Sequence, residues 1–118
     1  MARILVVDDD TSLRLLYEKE LAEEGHQVTT VGSGKDALRS LETSPPDLVV
    51  LDIKMDGMDG LTVLDEIMKR NSTIPVILNT AYSTFKADFT TWNADAYVVK
   101  SSDLTELKRT IDEVLQAR

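Results

Sequence analysis

Short apolar runs alternate with longer segments in which apolar residues recur every three or four positions, and this alternation repeats five times along the chain. Ile4 to Val7 is a continuous, largely β-branched run ended by Asp8, Asp9 and Asp10, as expected of a strand buried on both faces. Thr11 or Ser12 is placed to cap a helix over roughly 12–24, in which Leu13, Leu16, Tyr17 and Leu21 share a face and Gly25 supplies a left-handed end. Gln27 to Val31 predicts a second strand. Ser33 then caps a helix carrying Ala37, Leu38 and Leu41, which Pro45-Pro46 stops. Leu48 to Leu51 repeats the first pattern and ends in Asp52, with Gly57 and Gly60 punctuating the loop that follows. Leu61, Leu64, Ile67 and Met68 mark a third helix, and Val76 to Leu78 a fourth strand finishing at Asn79-Thr80. Tyr82 to Thr91 is a weaker helical segment diluted by threonines. Ala96 to Val99 forms a fifth strand ended by Lys100, and Leu104, Leu107, Ile111, Val114 and Leu115 form a closing apolar stripe.

Five strand-helix units imply right-handed crossovers and a doubly wound parallel α/β sheet with helices on both faces. Ligands of such sheets bind beyond the carboxyl ends of the strands. Composition bounds this picture. The 118 residues suffice for one domain, taken as 1–118, with a core that needs no disulfide. A net charge of -8, from 13 basic against 21 acidic side chains, repels nucleic-acid backbones and anionic lipid surfaces. No cysteine is present, which removes thiolate metal sites and thiol nucleophiles and fits a cytoplasmic location. No apolar stretch reaches the roughly 20 residues of a membrane span.

The candidate chemistry gathers at the strand ends. Asp8 and Asp9 follow the first strand, Asp52 the third, Thr80 the fourth and Lys100 the fifth. A parallel sheet brings these ends to one edge. Converging carboxylates repel, and they remain ionised together only around a cation. Oxygen donors without histidine or thiolate favour magnesium over zinc. Lys100 and the Thr80 hydroxyl are then placed to contact the oxygens of an incoming phosphate, which leaves Asp52 as nucleophile. Singly, each aspartate is more simply a turn or cap residue, and Lys100 a solvated lysine. Their joint placement outweighs those readings. Asp10 is read as a helix starter, His26 as a surface residue, Trp92 as a groove filler, and Glu18, Glu20, Glu23 and Glu24 as a solvated helix face.

The set Asp8-Asp9, Asp52, Thr80-Ala81 and Tyr97-Val98-Val99-Lys100 resembles the receiver domain of two-component response regulators, over essentially the whole chain. The resemblance implies a flavodoxin-like, five-stranded sheet of order 2-1-3-4-5 and Asp52 as phospho-acceptor. It implies magnesium, or manganese in its place, held by Asp9 directly, Asp8 through water, Asp52, and the Lys54 backbone carbonyl. Thr80 and Lys100 would sense the phosphate, and Tyr97 would change orientation as Thr80 moves. Lys54 and Tyr82 would flank the line of water attack and set the phosphoryl lifetime. The implied donor is a phosphohistidine of a histidine kinase or phosphotransfer protein. The implied output is a downstream protein or an effector domain outside this sequence, with a homodimer through the fourth helix, fifth strand and fifth helix as a further expectation. Two positions depart from the family pattern. Ser101 follows Lys100 where proline is usual, often after a cis bond that costs a non-proline residue about 3 kcal/mol. Asp56 stands where proline commonly follows Met55.

Three other readings compete. A phosphatase with an aspartyl nucleophile would be expected to carry Asp-x-Asp, but Lys54 stands at the second position. A flavin carrier needs a phosphate loop that Asp8-Asp9-Asp10 would repel. A receiver-like interaction module that is never phosphorylated has no need of the complete set. The favoured reading is a phosphorylatable switch with autodephosphorylation, not an enzyme acting on an external substrate.

Overall fold

The computed structural model describes residues 2–55, 57–71, 73–81 and 93–117. Their order is β1 (Arg3–Val7), α1 (Thr11–Glu23), β2 (Gln27–Val31), α2 (Gly34–Thr43), β3 (Leu48–Leu51), α3 (Gly60–Arg70), β4 (Val76–Thr80), β5 (Ala96–Val99) and α4 (Thr105–Ala117). The α4 helix is the fifth one expected from sequence. The expected helix at Tyr82 to Thr91, with Trp92, lies outside the described residues.

All five strands are parallel, in the order β2-β1-β3-β4-β5. Strand side chains alternate between faces, and this splits the core into two layers. Leu5, Val7, Val49, Leu51, Val76, Leu78 and Tyr97 face α2 and α3, where Ala37, Leu41, Val63, Leu64 and Ile67 meet them. Ile4, Val6, Leu48, Val50, Ile77 and Val98 face α1 and α4, against Tyr17, Leu21, Leu107 and Ile111. Burial on both faces is why β1 and β3 read as unbroken apolar runs. Among the described residues no helix is long and apolar enough to cross a membrane.

The helix ends correct one expectation and bear out another. Asp10, not Thr11 or Ser12, caps α1, its side chain accepting from the Leu13 amide at 3.1 Å. Three aspartates in succession thus divide their work, the third turning to the helix while the first two face the sheet edge. Ser33 caps α2 as expected, accepting from the Asp36 amide, and Asp59 caps α3 in the same way. Glu20 does more than cover a solvated face, since it meets Lys108 of α4 at 2.7 Å and ties the two helices together.

One polar contact lies inside the α1 and α4 layer. The Asn79 side-chain amide donates to the Tyr17 hydroxyl at 3.0 Å, with the two residues 3% and 1% exposed. Burial raises the Tyr17 pKa, so the phenol stays neutral at physiological pH. A buried donor that loses its acceptor costs about 1–3 kcal/mol, whereas removing both partners together costs far less. Tyr17→Phe is therefore expected to lower stability within that range by urea denaturation, and adding Asn79→Leu to recover most of the loss. A double variant as unstable as the sum of the singles would show that the hydrogen bond is not what the pair contributes.

Candidate functional site

Register places the site. Val7 of β1 pairs with Leu51 of β3, so Asp8 and Asp52 leave adjacent strands side by side. The ladder runs one residue past the strand ends: the Asp8 amide donates to Val31 at 3.1 Å and the Asp52 amide to Val7 at 3.0 Å. On the other side Thr80 pairs with Val99, and the Lys100 amide donates to the Thr80 carbonyl at 2.7 Å. β1 is also where the chain order reverses across the sheet, the position at which doubly wound folds open a crevice. The loop after Asp52 folds back tightly, with the Gly60 amide donating to Ile53 at 2.7 Å. A Cβ on Gly60 would overlap the Asp52 carbonyl oxygen, so only glycine permits this close approach.

Carboxylate oxygens of Asp8, Asp9 and Asp52 lie within 4.8 Å of one another. Asp8 and Asp52 are buried and Asp9 is exposed at the rim. The Lys100 ammonium reaches into the group, 2.7 Å from Asp8 Oδ2 and 3.1 Å from Asp52 Oδ2. Asp8 Oδ1 accepts from the Asp10 amide, while the enclosed Asp8 Oδ2 is held by its ion pair with Lys100. Three carboxylates whose oxygens converge at one edge, with a single ammonium among them and no histidine or thiolate in the group, fit a hard divalent cation.

The electrostatics follow from this crowding. Burial raises the Asp52 pKa; Lys100 pulls it back, and the charges of Asp8 and Asp9 push it up again, for a net rise above the ordinary carboxylate value. Burial alone would lower the Lys100 pKa, but its contacts with Asp8 and Asp52 outweigh that and hold the ammonium charged.

Of the remaining sequence candidates, Thr80 is buried at the end of β4 and Tyr97 is 7% exposed, packed beside Leu78 in the α2 and α3 layer. Lys54 is exposed two residues after Asp52. Tyr82 and Asp56 lie outside the described residues. The Lys100–Ser101 peptide bond is trans. Ser101 Oγ accepts from the Asp103 amide, and Asp103 in turn accepts from the Thr105 amide and hydroxyl, which turns the chain into α4. Pattern reading passed over Gly60 and Arg14. Gly60 registered only as turn punctuation, and Arg14 reads in sequence like any polar helix residue, although its side chain reaches the Asp8 carbonyl.

A carboxyl whose folded pKa is raised stabilises the fold when protonated and weakens it once ionised. In a chelating buffer, stability is thus lost as pH rises from about 4, the ordinary carboxylate value, through the raised value of Asp52. Asp52→Asn cannot ionise. Its melting temperature is expected to exceed that of the wild type at pH 7, with the difference closing below about pH 4. Equal melting temperatures at pH 7 would contradict the crowding described.

Comparison with known proteins agrees with this geometry. The family model described as response regulator receiver domain matches residues 4–112. The response regulator TrrA from Thermotoga maritima, solved in complex with Mg(2+)-BeF, superposes with a TM-score of 0.91 at 45% identity, covering 97% of this chain and 99% of that one. TrrA in complex with the histidine kinase ThkA gives a TM-score of 0.89, also at 45% identity, covering 98% and 99%. The transcriptional regulator NtrC of Klebsiella pneumoniae is 38% identical over 112 residues, which are 93% of this chain but 24% of that protein. The chain thus spans about a quarter of the length of such curated relatives. With strand order, acidic edge and family match in agreement, this chain belongs to the response regulator receiver domain family.

Proposed function

We propose that residues 1–118 act as one receiver unit that takes a phosphoryl group onto Asp52 from the phosphohistidine of a histidine kinase or phosphotransfer protein. The observation that carries this is the convergence of Asp8, Asp9 and Asp52 with Lys100 at one sheet edge. The kinase complex of TrrA supports a kinase as donor. Its Mg(2+)-BeF complex supports magnesium as the cation, and manganese shares the same oxygen preference.

Asp8, Asp9, Asp52 and the Lys54 carbonyl would hold that cation, which when bound neutralises charge on the carboxylates and the transferring phosphoryl group. An Asp52 carboxylate oxygen forms the new bond to phosphorus as the phosphorus–nitrogen bond breaks, and the electron pair stays on the departing imidazole. Lys100, already within 3.1 Å of Asp52 Oδ2, follows the negative charge onto a phosphoryl oxygen. Thr80 donates its hydroxyl to another. Buried Tyr97 responds to the movement of Thr80, biasing the fifth strand and α4, with the segment before them, toward a partner-binding or homodimeric state. Lys54 and Tyr82 set how readily water removes the phosphoryl group, so the protein turns over its own acyl phosphate and no external substrate. The length of NtrC supports an effector domain as one route of output.

Incubation with acetyl phosphate and magnesium, read by intact mass, tests the proposal. The wild type is expected to gain one phosphoryl group. Asp52→Ala is expected to gain none, and omitting magnesium to suppress the gain. Uptake indifferent to both changes would overturn the mechanism.

A further inference from the structure

The reading of Asp8 and Asp9 as cation ligands leaves open what fixes the backbone between them. Its carbonyl oxygen, that of Asp8, accepts from Arg14 Nη1 at 2.6 Å, and Arg14 Nη2 donates to Thr11 Oγ1 at 3.2 Å. The guanidinium therefore clamps both ends of the turn that runs from β1 into α1. The Asp8 carbonyl belongs to the same rigid plane as the Asp9 amide, since the peptide bond does not twist. Holding that oxygen restrains the plane, and with it the directions in which the flanking Asp8 and Asp9 side chains leave the backbone.

A second element makes room for the clamp. Gly32 lies just beyond β2, and a Cβ there would come within 2.7 Å of Arg14 Nη1 and 3.1 Å of its Cζ. The atoms in the way are the far end of a flexible side chain, so an alanine would displace the guanidinium and not the strand. β2 thus contributes a missing side chain to the turn that β1 and α1 form.

We propose that Arg14 is a positioning residue for the divalent cation, acting through the Asp8–Asp9 peptide plane and seated by Gly32. This rests on the cation site proposed above. The sign of its effect separates it from a role of charge. A guanidinium near a cation site repels the cation, so on charge alone removing Arg14 would tighten binding. A clamp predicts the opposite. Groups that orient metal ligands typically contribute about tenfold or more to affinity.

The test is Mn2+ affinity measured by electron paramagnetic resonance of the free ion, on the wild type, Arg14→Lys, Arg14→Met, Gly32→Ala and the combination of the last two. Lysine keeps the charge and loses the planar two-pronged donor. All three single variants are expected to bind Mn2+ about tenfold more weakly. The combined variant is expected to bind no more weakly than Arg14→Met, because Gly32→Ala acts through a guanidinium that is no longer there. Unchanged affinity in Arg14→Lys and Gly32→Ala, tighter binding in Arg14→Met, or additive losses in the combination would each overturn the inference while leaving the cation site standing. A wild type that binds no Mn2+ would instead remove the cation site, and this inference with it.

Discussion

The pairing of β1 with β3 is the constraint on which the rest depends. Val7 against Leu51 fixes Asp8 beside Asp52, and the ladder bonds that continue past the strand ends hold both backbones in place. Two buried acids side by side are unfavourable by desolvation and by repulsion. Lys100 relieves this by meeting both at once, and it can do so because the Lys100 amide is itself tied to the end of β4. The sheet thus creates an electrostatic conflict that the Lys100 ammonium softens. The Lys100 side chain thereby joins the acidic edge to the ends of β4 and β5, where its backbone is held.

Both layers of the core serve this edge. Tyr97 lies in the α2 and α3 layer beside Leu78, while Asn79, its amide on Tyr17, lies in the α1 and α4 layer. Thr80 follows directly, buried, with its carbonyl bonded to the Lys100 amide. The end of β4 is therefore in contact with both faces of the sheet and with the charged edge. Thr80 therefore sits in close-packed surroundings, where a change at one of these neighbours is felt by the others.

Strands and site residues were legible in the sequence for the same reason. Apart from β2, whose Gln27, Thr29 and Thr30 suit an edge strand, each strand is built on an apolar run, and each such run ends in polar residues at the sheet edge. The acids at 8, 9 and 52 announce both the end of a strand and the chemistry beyond it. The neighbour order β2-β1-β3-β4-β5 is not written in periodicity and followed from the family resemblance. What stayed hidden was contact chemistry across long separations. Tyr17 scores as apolar in a helical stripe, yet its hydroxyl meets an amide 62 residues away. Arg14 scores as a solvated helix residue, Gly60 as a turn marker and Gly32 as nothing in particular, although space is what the structure requires of both glycines. The cap at Asp10 was obscured because three successive aspartates look equivalent until the backbone turns one of them toward the helix.

Locating the phosphoryl group tests the central claim most directly. An aspartyl phosphate is reduced by borohydride to the corresponding alcohol, so the phosphorylated protein can be reduced, digested and read by peptide mass. The account predicts reduction at position 52 and at no other carboxylate of the acidic edge. Reduction at Asp8 or Asp9, or none in a protein that has taken up phosphate, would contradict it.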